Sequence, residues 1–323
     1  MDSAVTQTSV LQFNQIHIDV ARNATDDFNL FHDSQQWSRI YQNPFHGPIA
    51  LGFQIESLIE NQILQHRQIH NELEFIQKQQ LQFSNYQFNF ANAIKPDQNI
   101  SINIRNTQTS KDGETPFLSN RVSVKADKQL ALIGFKKETT QPLFLPDTNS
   151  DSFPEQLSHY PDRDILDIVL KGQDKTFFLK RKFMNVSNAK NFLCGSRVDQ
   201  RTFFDELKNR YQFPEIFPCA FISCALLEKF MLKKLDFERS PMVYTSHKIS
   251  VDRSVLTQLK SNDRLHILIH LTSPMEKTVP ENNNQIYECY GLIHNNDILF
   301  RALVELTPLQ GILKHLKMKV PVT

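Results

Sequence analysis

The sequence predicts an α+β fold in which a strongly curved antiparallel sheet wraps a long central helix, and in which that unit occurs twice. Three observations carry this. The chain resembles itself in three ordered blocks, each unit holds a helix that is apolar nearly all round, and period-2 strands joined by polar turns follow each helix.

The helices come first. PIALGFQIESLIENQI from Pro48 lies over PCAFISCALLEKFML from Pro218, a shift of 218 − 48 = 170. Both read as buried helices opened by proline in the first turn, apolar from Ile49 to Ile63 in one copy and from Pro218 to Leu232 in the other. A short strand and an irregular acidic segment are expected ahead of the helix. Next, IKPDQNISINIRNTQ from Ile94 lies over LKSNDRLHILIHLTS from Leu259, a shift of 259 − 94 = 165 that sets Ile100, Ile102 and Ile104 on Leu265, Ile267 and Ile269. VSVKADKQLALIGF from Val122 then lies over YGLIHNNDILFRAL from Tyr290, a shift of 290 − 122 = 168, as two strands around a tight turn with Asp127 over Asn295. Chance apolar matches would not keep order and near-constant register over three blocks. The prolines and turn formers of TTQPLFLPDTNSDSFPEQ, from Thr139, suit a linker. The expected domains are therefore 1–145, a linker at 146–170, and 171–323.

Composition narrows the functions. The 36 basic and 35 acidic side chains of the 323 residues leave a formal charge of +1, so no global field draws nucleic acid or an anionic membrane. The start of the chain lacks a basic stretch leading into an apolar run, and no apolar run approaches the roughly 20 residues that a membrane span requires. A cytoplasmic protein without a membrane span is the expectation. Cys194, Cys219, Cys224 and Cys289 fit no zinc spacing and read as free, mostly buried thiols, so no metal is expected. The Asn-x-Ser/Thr triplets at Asn23, Asn99 and Asn185 carry no meaning without a secretion signal.

One stretch asks for chemistry. In ATDDFNLFHD, Asp27 and His32 stand five apart among Phe28, Leu30 and Phe31, which places charge in a greasy setting. DVARNATDDFNLFHDSQQWS, followed after a loop by PIALGF, resembles the signature of the MaoC-like (R)-specific enoyl-CoA hydratases and 3-hydroxyacyl thioester dehydratases. Thr25, Asp27, Asn29, His32 and Ser38 fall on that signature, while Asp26 replaces a glycine, Leu30 a proline and Phe31 an aliphatic. The downstream aliphatic-His-Gly-Met pattern appears as Ala50-Leu51-Gly52-Phe53, with its glycine kept and its histidine absent. With the duplication, the resemblance implies a tandem (double) hot-dog fold: a pseudo-dimer within one chain, its sheets joined side by side, on which a further homodimer could build.

The resemblance implies the site as well. Asp27 and His32 would hold a water for addition across a trans-2-enoyl thioester, and the amide of Gly52, at the positive end of the central helix, would face the thioester oxygen. Asn29 is expected to shape the loop by bonding backbone, and Phe28, Phe31, Phe45 and Phe53 to line an acyl tunnel. Read singly these are blander: Asp27 as a helix cap, His32 as a bonded core residue, Gly52 and the phenylalanines as packing. In the second half a shift of 169 sets Ser196 and Arg201 on Asp27 and His32, and a gapped alternative pairs Asp27 with Asp199 but leaves Phe204 for the histidine. One active centre, in the first half, follows. The substrate would be a thioester of coenzyme A or acyl carrier protein, with Lys180-Arg181-Lys182 or Lys314, Lys317 and Lys319 meeting phosphates, or else simply solvated; no cofactor is called for. The rivals are a hot-dog thioesterase using Glu56 or Glu60 of the central helix, and a non-catalytic acyl-thioester binding protein.

Overall fold

The structure is a computed structural model that describes residues 11–110, 113–153, 157, 166–169, 175–272, 284–294 and 296–311. The first half runs α1 (Gln15–Thr25), α2 (Gly52–Ile69), α3 (Leu73–Lys78), β1 (Phe83–Phe90), β2 (Ile100–Ile104), β3 (Gln108–Thr109), β4 (Phe117–Ala126) and β5 (Gln129–Thr139). The second runs β6 (Leu166–Val169), β7 (Thr176–Met184), α4 (Val186–Gly195), β8 (Phe204–Asp205), β9 (Arg210–Tyr211), α5 (Ile216–Leu232), β10 (Met242–Asp252), α6 (Arg253–Leu256), β11 (Asp263–Leu271), β12 (Gln285–Ile293) and β13 (Asp297–Pro308).

One antiparallel sheet spans both halves in the order β2-β4-β5-β1-β10-β13-β12-β11-β7-β6. Its centre is the β1–β10 pair, in register from Phe83 opposite Asp252 to Asn89 opposite Ser246. On either side the order mirrors itself, β1 matching β10, β5 matching β13, β4 matching β12 and β2 matching β11. The expected joining of two units into one sheet is therefore the observed topology. The strand blocks keep their registers: Ile100–Ile104 and Leu265–Ile269 lie on β2 and β11. Asp127 (φ 45°) and Lys128 (φ 72°) make the two-residue turn between β4 and β5. Asn295, its expected counterpart, lies outside the described residues, as do Lys314, Lys317 and Lys319.

Three expectations need correction. No strand precedes α2 among the described residues of the first half; Gln15–Thr25 is a helix, because Ile18, Ala21 and Ala24 repeat at helical spacing and bury against α4. There the backbones approach so closely that a Cβ on Gly195 would lie 2.7 Å from the Ala21 nitrogen. Second, α2 begins at Gly52, four residues past Pro48, so the two central helices start 216 − 52 = 164 apart, not 170. Third, only α5 is apolar nearly all round. The α2 helix buries Gln54, Glu56, Ser57, Glu60, Asn61 and Arg67 among its apolar residues.

Both helices press on one face of the sheet, in a core that joins Leu58, Ile59 and Ile63 of α2 with Phe217, Phe221 and Ile222 of α5. Alternation assigns the faces. Leu265, Ile267 and Ile269 of β11 point into this core, whereas Leu268 joins Phe177 and Leu179 of β7 on the opposite face, under Phe153 and Leu157. The expected linker is thus partly packed at its start: Thr148 Oγ1 lies 3.2 Å from the Tyr290 hydroxyl and Thr148 O accepts from Arg301 at 3.1 Å.

The two halves also share a buried polar network. Glu60 of α2 accepts from the amides of Glu215 and Ile216, at 2.8 and 3.1 Å, and so caps α5. Glu215 in turn accepts from Ser84 Oγ at 2.9 Å and from the Tyr86 hydroxyl. Lys136 Nζ lies 2.9 Å from Glu215 and 3.5 Å from Glu138, which also meets Arg67. Burial, then the Glu215 carboxylate, push Glu60 up to about 8 against the pull of Lys136 and the two amides. Burial would raise Glu215 as well, but Lys136, Arg253 and the Tyr86 hydroxyl outweigh it and hold that carboxyl down at about 2.

Two outcomes are expected. Lys136→Met takes away the buried ammonium that lies between Glu138 and Glu215 and should remove about 3–5 kcal/mol of stability in urea unfolding; a loss below about 1 kcal/mol would show that the network does not hold the halves. Residues 1–145 expressed alone should aggregate or self-pair through the bare β1 edge, and a monomeric fragment in size-exclusion chromatography would contradict the role given to β10.

Candidate active site

The loop between α1 and α2 builds the site. Thr25 Oγ1 bonds back to Ala21 O at 3.0 Å, and Asp26 ends the helix in the left-handed region at φ 52°. That conformation accounts for a glycine at this place in the resembled signature, and aspartate is among the residues that tolerate it. The Asp26 carboxylate reaches Lys182 of β7, tying the loop to the second half. Asp27 then turns inward and is 3% exposed.

Asn29 opens a single 3-10 turn, Leu30–His32, its Oδ1 accepting from Phe31 N at 3.2 Å. The strand-like segment before α2 clips this turn: Ile49 N donates to Phe31 O at 2.9 Å, and His32 Nδ1 lies 2.8 Å from Ile49 O. A carbonyl oxygen only accepts, so Nδ1 carries the hydrogen and the neutral ring presents Nε2 as an acceptor. That Nε2 stands 3.7 Å from Asp27 Oδ2. Two acceptors at this separation, both nearly buried, can share the hydrogens of one water.

They open onto a mainly apolar cavity of about 320 Å³. From the first half it is lined by Asp27, Asn29, Phe31, His32, Phe45 and Gly52, among others; α5 adds Ser223, Leu226 and Phe230, and β10 adds Tyr244. Gly52 is the first residue of α2, so its amide has no intrahelical acceptor. A Cβ there would lie 3.1 Å from the Phe90 ring, which explains the fit of glycine against that wall.

The structure thus brings Asp27, His32, Gly52, Asn29 and Phe31 to one cavity. It places two other residues elsewhere. Phe28 is 55% exposed with Arg22 over its ring, and Phe53 stacks on His247 in the core; neither is among the cavity lining. The two carboxylates of α2 also face away from the lining. Glu56 bonds His247 Nδ1 at 2.7 Å and Glu60 caps α5. Lys180 and Lys182 are paired with Glu228 and Asp26, and Arg181 donates to Leu157 O, so this cluster is not an open phosphate patch.

Among the described residues, the second half holds no counterpart. Asp199 caps the turn Gln200–Thr202, accepting from Arg201 N at 3.0 Å, and so stands where Asn29 stands; it is exposed and paired with Arg201. The α1–α2 loop has 51 − 25 = 26 residues and the α4–α5 loop 215 − 195 = 20; because the turn opens four residues past the helix end in both, the missing six lie between the turn and the central helix.

Sequence reading missed the Ile49 carbonyl, the Ser223–Tyr244 hydroxyl pair (2.9 Å) and His247. The first is backbone and has no side-chain signal. The others sit in an apolar helix and an alternating strand that read as core.

Neither a protein-family model nor a curated protein matches the sequence. Solved structures do match. A MaoC-like dehydratase superposes with a TM-score of 0.55 at 7% identity, over 93% of this chain and 96% of its own. A MaoC domain protein dehydratase from Chloroflexus aurantiacus J-10-fl gives 0.55 at 8% identity, over 93% of each chain. A Mycobacterium tuberculosis protein described as having a double hotdog fold gives 0.53 at 10% identity, over 94% of each. At these identities the likeness is one of fold, and with the mirrored sheet it shows that this chain has the double hot-dog fold seen in MaoC-like dehydratases.

Proposed function

We propose that this protein reversibly hydrates trans-2-enoyl thioesters to (R)-3-hydroxyacyl thioesters carried on coenzyme A or acyl carrier protein. The observation that carries the reading is the pair of acceptors, Asp27 Oδ2 and His32 Nε2, 3.7 Å apart at the polar end of an apolar cavity that the first turn of α2 also borders. The (R) configuration and the thioester come from the resemblance of the loop, not from a distance.

A water held between the two acceptors gives one proton to the pair as its oxygen bonds to C3. The C2–C3 π electrons move toward the thioester carbonyl, and the charge on that oxygen is met by the Gly52 amide and the α2 dipole. The proton then passes to C2, the enolate collapses, and the pair is ready again; dehydration is the reverse. Anchoring Nδ1 on Ile49 O keeps Nε2 aimed at the water, so no rotation of the ring is needed between steps. The thioesterase reading loses its two carboxylates to other bonds, those of Glu56 and Glu60.

With crotonyl-CoA and longer enoyl-CoAs, loss of enoyl absorbance marks hydration and release of free thiol marks hydrolysis. Asp27→Asn and His32→Ala should each lower hydration about 10²- to 10⁴-fold with the melting temperature kept. Hydration unchanged in both would remove the proposed centre, and thiol release without hydration would favour a thioesterase. Arg201→Ala, at the exposed turn of the second half, should leave turnover as it is; a loss like that of the Asp27 variant would point to a second centre.

A further inference from the structure

Behind the cavity wall lies a dyad that the proposed chemistry has not used. Glu56 Oε1 of α2 and His247 Nδ1 of β10 are 2.7 Å apart, and both side chains are wholly buried. Their outer atoms, Glu56 Oε2 and His247 Nε2, meet no hydrogen-bond partner among the described residues. Burial pushes the Glu56 carboxyl up, against the pull of His247. A pair so enclosed is most stable without net charge. Either a neutral carboxylic acid donates to Nδ1, leaving the imidazole hydrogen on Nε2, or a carboxylate faces an imidazolium that carries hydrogen on both nitrogens. A neutral imidazole donating Nδ1–H to a neutral acid would instead leave Nε2 an acceptor, but such a bond is usually about 2.9–3.0 Å long, and the 2.7 Å found here suits the first two arrangements. Nε2 is then a donor lacking an acceptor, and such orphans in a core call for an explanation.

Its place supplies one. His247 Cε1, the carbon bonded to Nε2, would lie 3.6 Å from a Cβ on Gly52. Phe90 and Tyr244, which line the cavity, pack edge-on against the imidazole at 5.0 and 4.6 Å between ring centres. One donor, a backbone amide of the first half, thus borders the cavity, and the other, a side chain of the second half, stands directly behind it. Resting on the enoyl-thioester reading, we propose that His247, held by Glu56, is the second donor to the thioester oxygen, sharing with the Gly52 amide the charge that develops there.

The test uses the full chain and a conjugated dienoyl-CoA, whose absorption moves to longer wavelength when its carbonyl oxygen accepts hydrogen bonds. Binding is read in Asp27→Asn protein, where turnover is slow, and turnover with crotonyl-CoA in otherwise native protein. His247→Phe should remove most of the spectral shift while the dienoyl-CoA still binds. The same substitution should lower kcat about 10²- to 10³-fold with KM little changed. His247→Gln, which keeps an N–H donor, should recover part of both.

If His247→Phe shows the full shift and native turnover, the donor role is overturned while the hydratase reading stands. Equal losses in His247→Phe and His247→Gln, with a lowered melting temperature, would mean that the dyad only supports the fold, and would also overturn it. If the native protein neither hydrates nor binds any enoyl or dienoyl thioester, the proposed function itself falls and takes the donor pair with it.

Discussion

The pairing of β1 with β10 is the contact on which the rest of the molecule depends. Each half alone would present an open strand edge and a groove beside its central helix. Joining the edges satisfies seven residues of backbone on each strand and makes one sheet. It also sets α5 beside α2, brings Tyr244 of β10 into the lining of a cavity that Asp27 and His32 of the other half also line, and places His247 directly behind that lining. The cavity exists only because two copies of one unit meet.

The copies have diverged at one kind of place, the start of the central helix. In α5 the first amides are taken by the Glu60 carboxylate, an internal anion held where a helix dipole favours one. In α2 a glycine stands at the first position and its amide is left at the edge of the cavity. The shortened α4–α5 loop completes the contrast, since it is the α1–α2 loop that swings Asp27 and His32 over the helix start. The two helix starts thus differ in whether the protein itself satisfies the same set of donors.

The buried charges of the first half serve the halves' union more than the cavity. Glu60, Glu215, Lys136, Glu138 and Arg67 form a chain across the β1–β10 junction in which each ion has an oppositely charged or hydrogen-bonding neighbour. Such a cluster pins one relative placement of α2 and α5, because a slip would leave charges without partners in the core.

Much of this was legible in the residues. Period-2 alternation in Ile100–Ile104 and Leu265–Ile269 set the strands and their faces, the repeated blocks set the pairing of two units, and the spacing of Asp27, Asn29 and His32 marked the loop, because each signal is local or recurs along the chain. The helix at Gln15–Thr25 was missed although Asn14, a favoured N-cap residue, precedes it and donates its amide to His17 Nδ1 at 3.0 Å, and Pro48 misplaced the start of α2. What tertiary structure alone decided is who stands beside whom. That Glu56 meets a histidine 191 residues away and that this imidazole comes beside Gly52 follow from where β10 pairs with β1, and that Phe28 faces solvent follows from how the α1–α2 loop is seated. Sequence patterns report the face a residue shows to its own element, whereas a site across two halves depends on contacts between elements, which no local pattern encodes.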